Sequence, residues 1–185
     1  MYRAGVVTIL CLAALVPAQA KHCPDDSIAA GPSEKKLAKI GFERGDFSKV
    51  LRRYGPPDAA HEEADSSYPT GSGEARYSWR VGTARLEVFT MYYHDGGRRT
   101  ESVVAVRVDG AAPVRGLETK RGLRLGDAFE RVVELYGPVF VSGTVNGWPL
   151  PGEARTVCFA DGTELGVGVD ANGRVTAIWL APSAE

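Results

Sequence analysis

The sequence contains one short pattern twice, FSKVLRRYGPP at residues 47–57 and FERVVELYGP at residues 129–138. In each copy, apolar side chains recur at positions i, i+3, i+4 and i+7, the spacing that lines one side of an α-helix. A glycine and a proline then follow, and these residues commonly end helices. The sequence therefore predicts two equivalent amphipathic helices, with the apolar stripes Phe47, Val50, Leu51, Tyr54 and Phe129, Val132, Val133, Tyr136.

Short alternating segments follow each helix and are separated by turns rich in Gly, Asn and Asp, which is typical of strands in hairpins. They predict strands at residues 75–81, 84–94 and 101–109 after the first helix, and at 139–144, 154–160, 163–169 and 174–181 after the second. A shorter helix is predicted at residues 33–40. Residues 58–74 are predicted to form a long exposed loop.

A helix with one apolar stripe and a sheet with one apolar face can bury these surfaces against each other. The predicted fold class is therefore α+β: two tandem helix-plus-antiparallel-sheet repeats, with the helices on one sheet face and the other face open. The predicted segments are a signal peptide at 1–20, an N-terminal segment at 21–32, the first repeat at 33–110, a connector at 111–120 and the second repeat at 121–185.

The first twenty residues have the features of a secretory signal peptide. Arg3 precedes an apolar run at residues 6–16, and the run is followed by Pro17 and by Ala18-Gln19-Ala20, which fits a cleavage site. The run is shorter than the roughly twenty residues needed to cross a bilayer, so we expect no transmembrane segment. We predict cleavage after Ala20 and a periplasmic or secreted location. A short N-terminal core helix is the alternative.

Three cysteines are present, and Cys11 belongs to the predicted signal peptide. The other two, Cys23 and Cys158, are expected to form a disulfide in an oxidising compartment. Lipid attachment at Cys23 is the alternative. We expect a chain without a lipid anchor, because lipoprotein cysteines follow a small residue and His22 precedes Cys23.

The composition is that of an ordinary globular protein, with 44% hydrophobic and 24% charged residues. The formal net charge is −1, and the basic residues are scattered in pairs such as Arg52-Arg53 and Arg98-Arg99. Nucleic-acid-binding domains usually concentrate basic residues on one surface. We therefore expect no nucleic-acid partner.

The second half carries the motif Leu125-Gly126-Asp127, then Val132, Gly137-Pro138 and a closing DANGRV hairpin at residues 170–175. These residues resemble the SmpA/BamE-like repeat, and two copies in tandem resemble the β-lactamase inhibitor protein fold. The first half is similar through Gly45-Asp46, Val50 and Gly55-Pro56-Pro57. The resemblance implies a non-enzymatic envelope scaffold that acts through protein contacts. This chain lacks the lipid-bearing cysteine of BamE-type proteins and has fewer cysteines than the inhibitor.

Motifs that could carry chemistry are incomplete. HEEAD at residues 61–65 lacks the second histidine of a zinc helix and is typical of a solvated acidic loop. SEKK at 33–36 has the spacing of a serine–lysine pair, but the companion motifs of that enzyme class are missing. DANG at 170–173 is a turn without the further ligands of a calcium loop. We predict no catalytic residue, no metal site and no cofactor.

Strand alternation then separates a helix-facing set from an outward set. The expected helix-facing residues are Tyr77, Trp79, Leu86, Val88, Tyr92, Val104, Val106 and Val108, and the outward ones are Arg76, Arg80, Arg85, Phe89, Met91, Tyr93 and Arg107. Aromatic residues, Met and Arg are enriched in the cores of protein interfaces. We predict a binding surface made by Phe89, Met91, Tyr93, Arg80 and Arg107. Packing of these aromatic residues against the second repeat is the alternative.

The resulting functional hypothesis is an exported protein-binding module: an inhibitor, an immunity-type antagonist or an envelope assembly accessory. Its expected partner is another envelope or periplasmic protein. One alternative is a cell-envelope hydrolase that uses carboxylates from residues 58–74. Another is a binding protein for a small sugar or peptide, with Trp148 beside Pro149 as a stacking surface.

Overall fold

The computed structural model describes residues 28–29, 31–41, 45–64, 71–137, 139–141, 144–145, 148–149 and 153–182. The predicted signal peptide, its cleavage site and Cys23 lie outside the described residues. The helices of the described part are α1 (Phe47–Tyr54) and α2 (Phe129–Tyr136). Its strands are β1 (Ile28–Ala29), β2 (Gly45–Asp46), β3 (Ala59–Ala64), β4 (Gly73–Val81), β5 (Ala84–Asp95), β6 (Arg98–Asp109), β7 (Phe140–Val141), β8 (Thr144–Val145), β9 (Trp148–Pro149), β10 (Glu153–Phe159), β11 (Thr163–Val169) and β12 (Val175–Pro182).

One sheet contains all of these strands except β8 and β9, which pair with each other. The order across the sheet is β1-β10-β11-β12-β6-β5-β4-β3, with β2 added beside β6 and β7 beside β10. β1 runs parallel to β10, and the other neighbours are antiparallel. In the described part, no helix is long and apolar enough to cross a membrane.

The prediction of two separate helix-plus-antiparallel-sheet repeats is wrong, because one mixed sheet continues through both halves of the chain. β12 pairs with β6, with Ile178 opposite Val108 and Leu180 opposite Val106. This pairing removes two strand edges that would otherwise expose unpaired backbone groups. The sheet face away from the helices is not open across its whole width either, since Thr156 and Trp179 on that face are buried.

The two predicted helices are confirmed. Phe47 of α1 stacks on Tyr77 of β4 with ring centroids 4.3 Å apart, and Tyr136 of α2 meets Phe159 of β10 edge-on at 6.1 Å. A positive φ at the following glycine ends each helix: the Gly55 amide donates to the Leu51 carbonyl, and the Gly137 amide donates to the Val133 carbonyl. Both helices pack on the same sheet face, because the aromatic residues that they contact belong to one core. Their apolar stripes are narrower than predicted, because Leu51 and Val133 remain exposed.

The helix predicted at 33–40 is wrong. Residues 37–40 form a tight turn in which Leu37 and Ile40 exchange backbone hydrogen bonds of 3.0 and 2.8 Å. The two central residues, Ala38 and Lys39, have φ of 55° and 61°. Residues other than glycine rarely adopt a positive φ, so residue preferences do not predict this turn. Tertiary contacts hold it, since Leu37 is fully buried and the Ala38 amide donates to the Glu118 carbonyl.

The loop predicted at 58–74 contains strand β3, which pairs with β4 over six residues. The sequence AAHEEA has low strand propensity, and pairing with a neighbour overrides that preference. Gly73 permits the close approach, because a Cβ there would clash with the Glu63 carbonyl and the Tyr92 hydroxyl. The terminal strand of the sheet is thus made from a segment without apolar alternation.

One predicted inward residue points the other way. All of the helix-facing set except Val104 joins the core beneath the helices, whereas Val104 packs against the cluster that contains Phe89. The pairing changes from Phe89 opposite Ala105 to Thr90 opposite Val103, so β6 carries one extra residue. Such a β-bulge reverses the facing of the residues beyond it. Val103 therefore takes the inward place.

The described backbone is compatible with the disulfide prediction, which stays a prediction. Ile28 of β1 pairs with Cys158 of β10, and Cys23 precedes Ile28 by five residues. Five residues span at most about 17 Å, so Cys23 can reach the region of Cys158.

Cys158 is buried, so thiol labelling must be carried out on the denatured protein. We expect that, in protein produced under oxidising conditions, neither Cys23 nor Cys158 reacts without reductant, and that both react after reduction. Equal labelling with and without reductant would show that the bond is absent.

Candidate functional site

The two faces of the sheet differ in character. Tyr77 and Trp79 of β4 contact α1, and their cross-strand partners Val88 and Leu86 share that face. Strand alternation places the residues between them on the opposite side. We call this opposite side the second face. In the described part it carries Glu74, Arg76 and Arg80 of β4, Arg85, Glu87, Phe89, Met91 and Tyr93 of β5, Val104, Ala105, Arg107 and Asp109 of β6, and Trp179 and Ala181 of β12.

An aromatic pair lies at the centre of the second face. The rings of Phe89 and Trp179 are 4.7 Å apart at an angle of 47°. Phe89 is 7% exposed and Trp179 is fully buried, and Ala105, Ala154 and Ala181 pack around them. This pair joins the two halves of the sheet, because Phe89 is on β5 and Trp179 is on β12. It is a small second core on the side of the sheet away from the helices.

Ionic side chains lie beside the aromatic pair. Arg107 contacts Asp109 at 2.8 Å and Glu87 at 3.8 Å, and Glu87 also pairs with Arg85 at 2.9 Å. The Arg107 guanidinium lies 5.8 Å from the centre of the Trp179 ring. Burial raises the pKa of Asp109, while the charge of Arg107 opposes that change. The carboxylates of Glu87 and Asp109 hold the Arg107 guanidinium near the Trp179 end of the aromatic pair.

A groove crosses β3 to β6 on this face and has a volume of about 390 Å³. Phe89, Met91 and Val104 contribute its apolar walls, and His61, Glu63, Glu74 and Arg76 supply polar groups. The side chains of Met91 and Tyr93 are 49% and 48% exposed. The arrangement can therefore contact a partner through an apolar strip on β5 that is bordered by charged residues.

The structure places all five predicted binding residues on the second face, but in different settings. Phe89 and Met91 line the groove, and Tyr93 lies two residues further along β5. Arg107 is engaged by Glu87 and Asp109, as described above. Arg80 is exposed at the opposite end of the face, directly across from Arg85, and both line a separate cavity of about 750 Å³.

Sequence reasoning missed Trp179, the partner that buries Phe89. The segment VTAIWLAP of β12 is apolar on both faces, so alternation does not show which way Trp179 points. It also missed Glu87, a buried acidic residue within an apolar strand. A buried carboxylate in such a strand indicates a cation beside it. Here Arg85 and Arg107 both contact Glu87.

The carboxylates named in the hydrolase hypothesis are divided between the two faces. Glu63 lines the groove, whereas Glu62 accepts hydrogen bonds from Arg99 at 3.1 Å and from Tyr77 at 3.5 Å. The hydrogen bond from Arg99 lowers the pKa of Glu62, and burial raises the pKa of Tyr77. Among the residues with described positions, no group of three His, Cys, Asp or Glu side chains could hold a metal ion.

Trp148 and Pro149, named for a sugar- or peptide-binding surface, form β9, and their side chains lie outside the described part. Compared with protein-family models, curated proteins and solved structures, the chain matches none.

Proposed function

We propose that this chain is an exported protein-binding module and that the second face of its sheet is the contact surface for an envelope or periplasmic protein. The observation that supports this proposal is the strip of Met91 and Tyr93, two large side chains left about half exposed beside the groove. Contiguous apolar patches rimmed by polar residues often mark interaction sites, and this strip continues into the apolar walls of the groove. An inhibitor, an antagonist or an assembly accessory would each use such a surface.

The supporting structure fits a preorganised interface. The Phe89–Trp179 pair and the ion pairs of Arg107 fix the floor of the surface before any partner arrives. A rigid surface loses little side-chain freedom on binding, which favours affinity. Arg80 is exposed at the periphery and is available for electrostatic steering of a partner. We therefore propose that Met91 and Tyr93 contribute most of the affinity and that Arg80 contributes mainly to the association rate.

Site-specific photo-cross-linking in envelope extract tests this proposal. A photoreactive amino acid is placed at position 93 on the second face, and a matched one at position 133 on α2, where Val133 is apolar and 44% exposed. We expect a discrete protein adduct from position 93 and a much weaker one from position 133. Equal adducts from both positions, or none from position 93, would argue against a partner on the second face.

A further inference from the structure

The two edges of the sheet differ in how their outer strands are paired. The outer edge of β10 is paired with both β1 and β7. At the other end, β3 pairs with β4, and the described part of the chain places no strand on its outer side. All six residues of β3 are exposed. Among the described residues, the backbone groups on that outer side have no strand partner.

β3 lacks most of the features that protect sheet edges. Protected edges are very short, bulged, interrupted by proline, or carry charged side chains, lysine above all. β3 runs in regular register from Ala59 opposite Ser78 to Ala64 opposite Gly73, and its sequence AAHEEA contains neither proline nor lysine. The charges of Glu62 and Glu63 are the one protective feature that β3 carries. This edge is long and regular enough for a strand to be added.

The charges near β3 indicate which kind of strand would fit. Glu63 lies directly opposite Glu74, and like charges in this position repel each other. In the described residues neither carboxylate has an ion pair, and the next stretch, residues 65–70, contains no basic residue. Glu62 differs, because Arg99 contacts it at 2.9 Å. Glu63 on β3 and Glu74 on β4 outnumber the one arginine beside them on this face, Arg76, so the local charge is complementary to lysine or arginine.

We propose that β3 is a docking edge for a basic, extended peptide segment of a protein partner, which adds to the sheet as a further strand. Backbone hydrogen bonds to the outer side of β3 would supply affinity, and alternate side chains would supply specificity. Lysine or arginine side chains on the second face would lie beside Glu63 and Glu74, at the end of the groove lined by His61. This site adjoins the Met91–Tyr93 strip, since Glu74 lies opposite Met91 and both line the groove. The test below reads the amides of β3 and needs no partner of the strip, so its failure can be told apart from failure of the proposed function.

The test is an NMR titration of the purified isotope-labelled protein with three capped hexapeptides. The first alternates lysine and valine, the second replaces lysine with glutamate, and the third is the lysine peptide with N-methyl groups on alternate residues. We expect saturable shifts of the amides of residues 59–64 with the lysine peptide and binding at least about tenfold weaker for the other two. Equal binding of the N-methylated peptide, or no shift in β3, would overturn the proposal.

Charge-reversed variants separate a specific edge from general electrostatic attraction. Glu63→Lys should weaken binding of the lysine peptide and strengthen binding of the glutamate peptide. The control Glu130→Lys, on the exposed surface of α2, should change the affinity for neither peptide. Equal effects of the two variants would overturn the proposal. Sedimentation of the protein without peptide tests whether β3 instead pairs with a second copy of this chain. A dimer that the Glu63→Lys variant abolishes would show such pairing and would also overturn the proposal.

Discussion

Replacement of Glu34 by alanine should lower the free energy of unfolding by about 3–5 kcal/mol. The Glu34 side chain is buried, and its carboxylate accepts hydrogen bonds from the backbone amides of Lys35, Lys36, Lys120 and Arg121 and from the Tyr136 hydroxyl. Alanine would remove the acceptor that these donors share, although the Lys120 amide keeps the Lys36 carbonyl and the Tyr136 hydroxyl keeps Thr119. It would also weaken the connection between residues 31–41 and 117–124, which the backbone hydrogen bond from Ala38 to Glu118 would continue to join.

Chemical denaturation of matched variants measures this effect. Glu34→Gln keeps the shape and one carbonyl acceptor, so it should lose about half as much stability. Glu118→Ala is the control, because the Glu118 carboxylate is partly exposed and accepts a hydrogen bond from the nearby Gly116 amide at 2.7 Å. It should cost about 1 kcal/mol or less. A Glu34→Ala protein as stable as the Glu118→Ala protein would show that the carboxylate does not hold these segments together.

The Tyr136→Ala variant should also lose about 3–5 kcal/mol, the usual cost of removing a large buried aromatic side chain. Tyr136 is 3% exposed, packs edge-on against Phe159, and its hydroxyl contacts Thr119 at 2.7 Å and Glu34 at 3.0 Å. Burial raises the pKa of Tyr136, and the Glu34 carboxylate adds to this effect. The hydroxyl therefore stays protonated and can donate to Glu34.

Tyr54 occupies the equivalent position in α1, and its replacement by alanine should cost clearly less. Its side chain is only partly buried, although its hydroxyl donates to the Ala38 carbonyl at 2.7 Å. The exposed helix positions Arg52 and Glu134 should tolerate alanine within about 0.5 kcal/mol. Thermal melting of the four alanine variants compares these losses of stability. Equal losses for Tyr54→Ala and Tyr136→Ala would contradict the unequal burial seen in the structure.

Local patterns predicted the helices and most strands, because these features depend on neighbouring residues. The spacing in FSKVLRRYGPP and FERVVELYGP is enough to place α1 and α2 and to name the glycines that end them. The turn at 37–40 and strand β3 were not predictable in this way, since distant partners impose both conformations. Equal apolar stripes did not imply equal burial, as Tyr54 and Tyr136 show.

Long-range pairing limited the prediction of the site. Alternation alone put Phe89, Met91 and Tyr93 on one side of β5, and the structure places them there. It could not show that β12 would lie beside β6 and bring Trp179 onto Phe89. One extra residue in β6 was also enough to turn Val104 away from the helices. Such bulges leave no clear mark in a single sequence.

The proposal that the second face binds a protein is tested most directly by measuring affinity for the cross-linked partner and melting temperature on the same variants. Met91→Ala and Tyr93→Ala should each weaken binding by about 2 kcal/mol or more, because exposed anchors at an interface centre contribute at this level. Their melting temperatures should stay within about 2 °C of the wild-type value. Phe89→Ala is the contrasting variant and should melt earlier, since Phe89 is buried against Trp179. Unchanged affinity in both Met91→Ala and Tyr93→Ala would contradict a binding role for the second face.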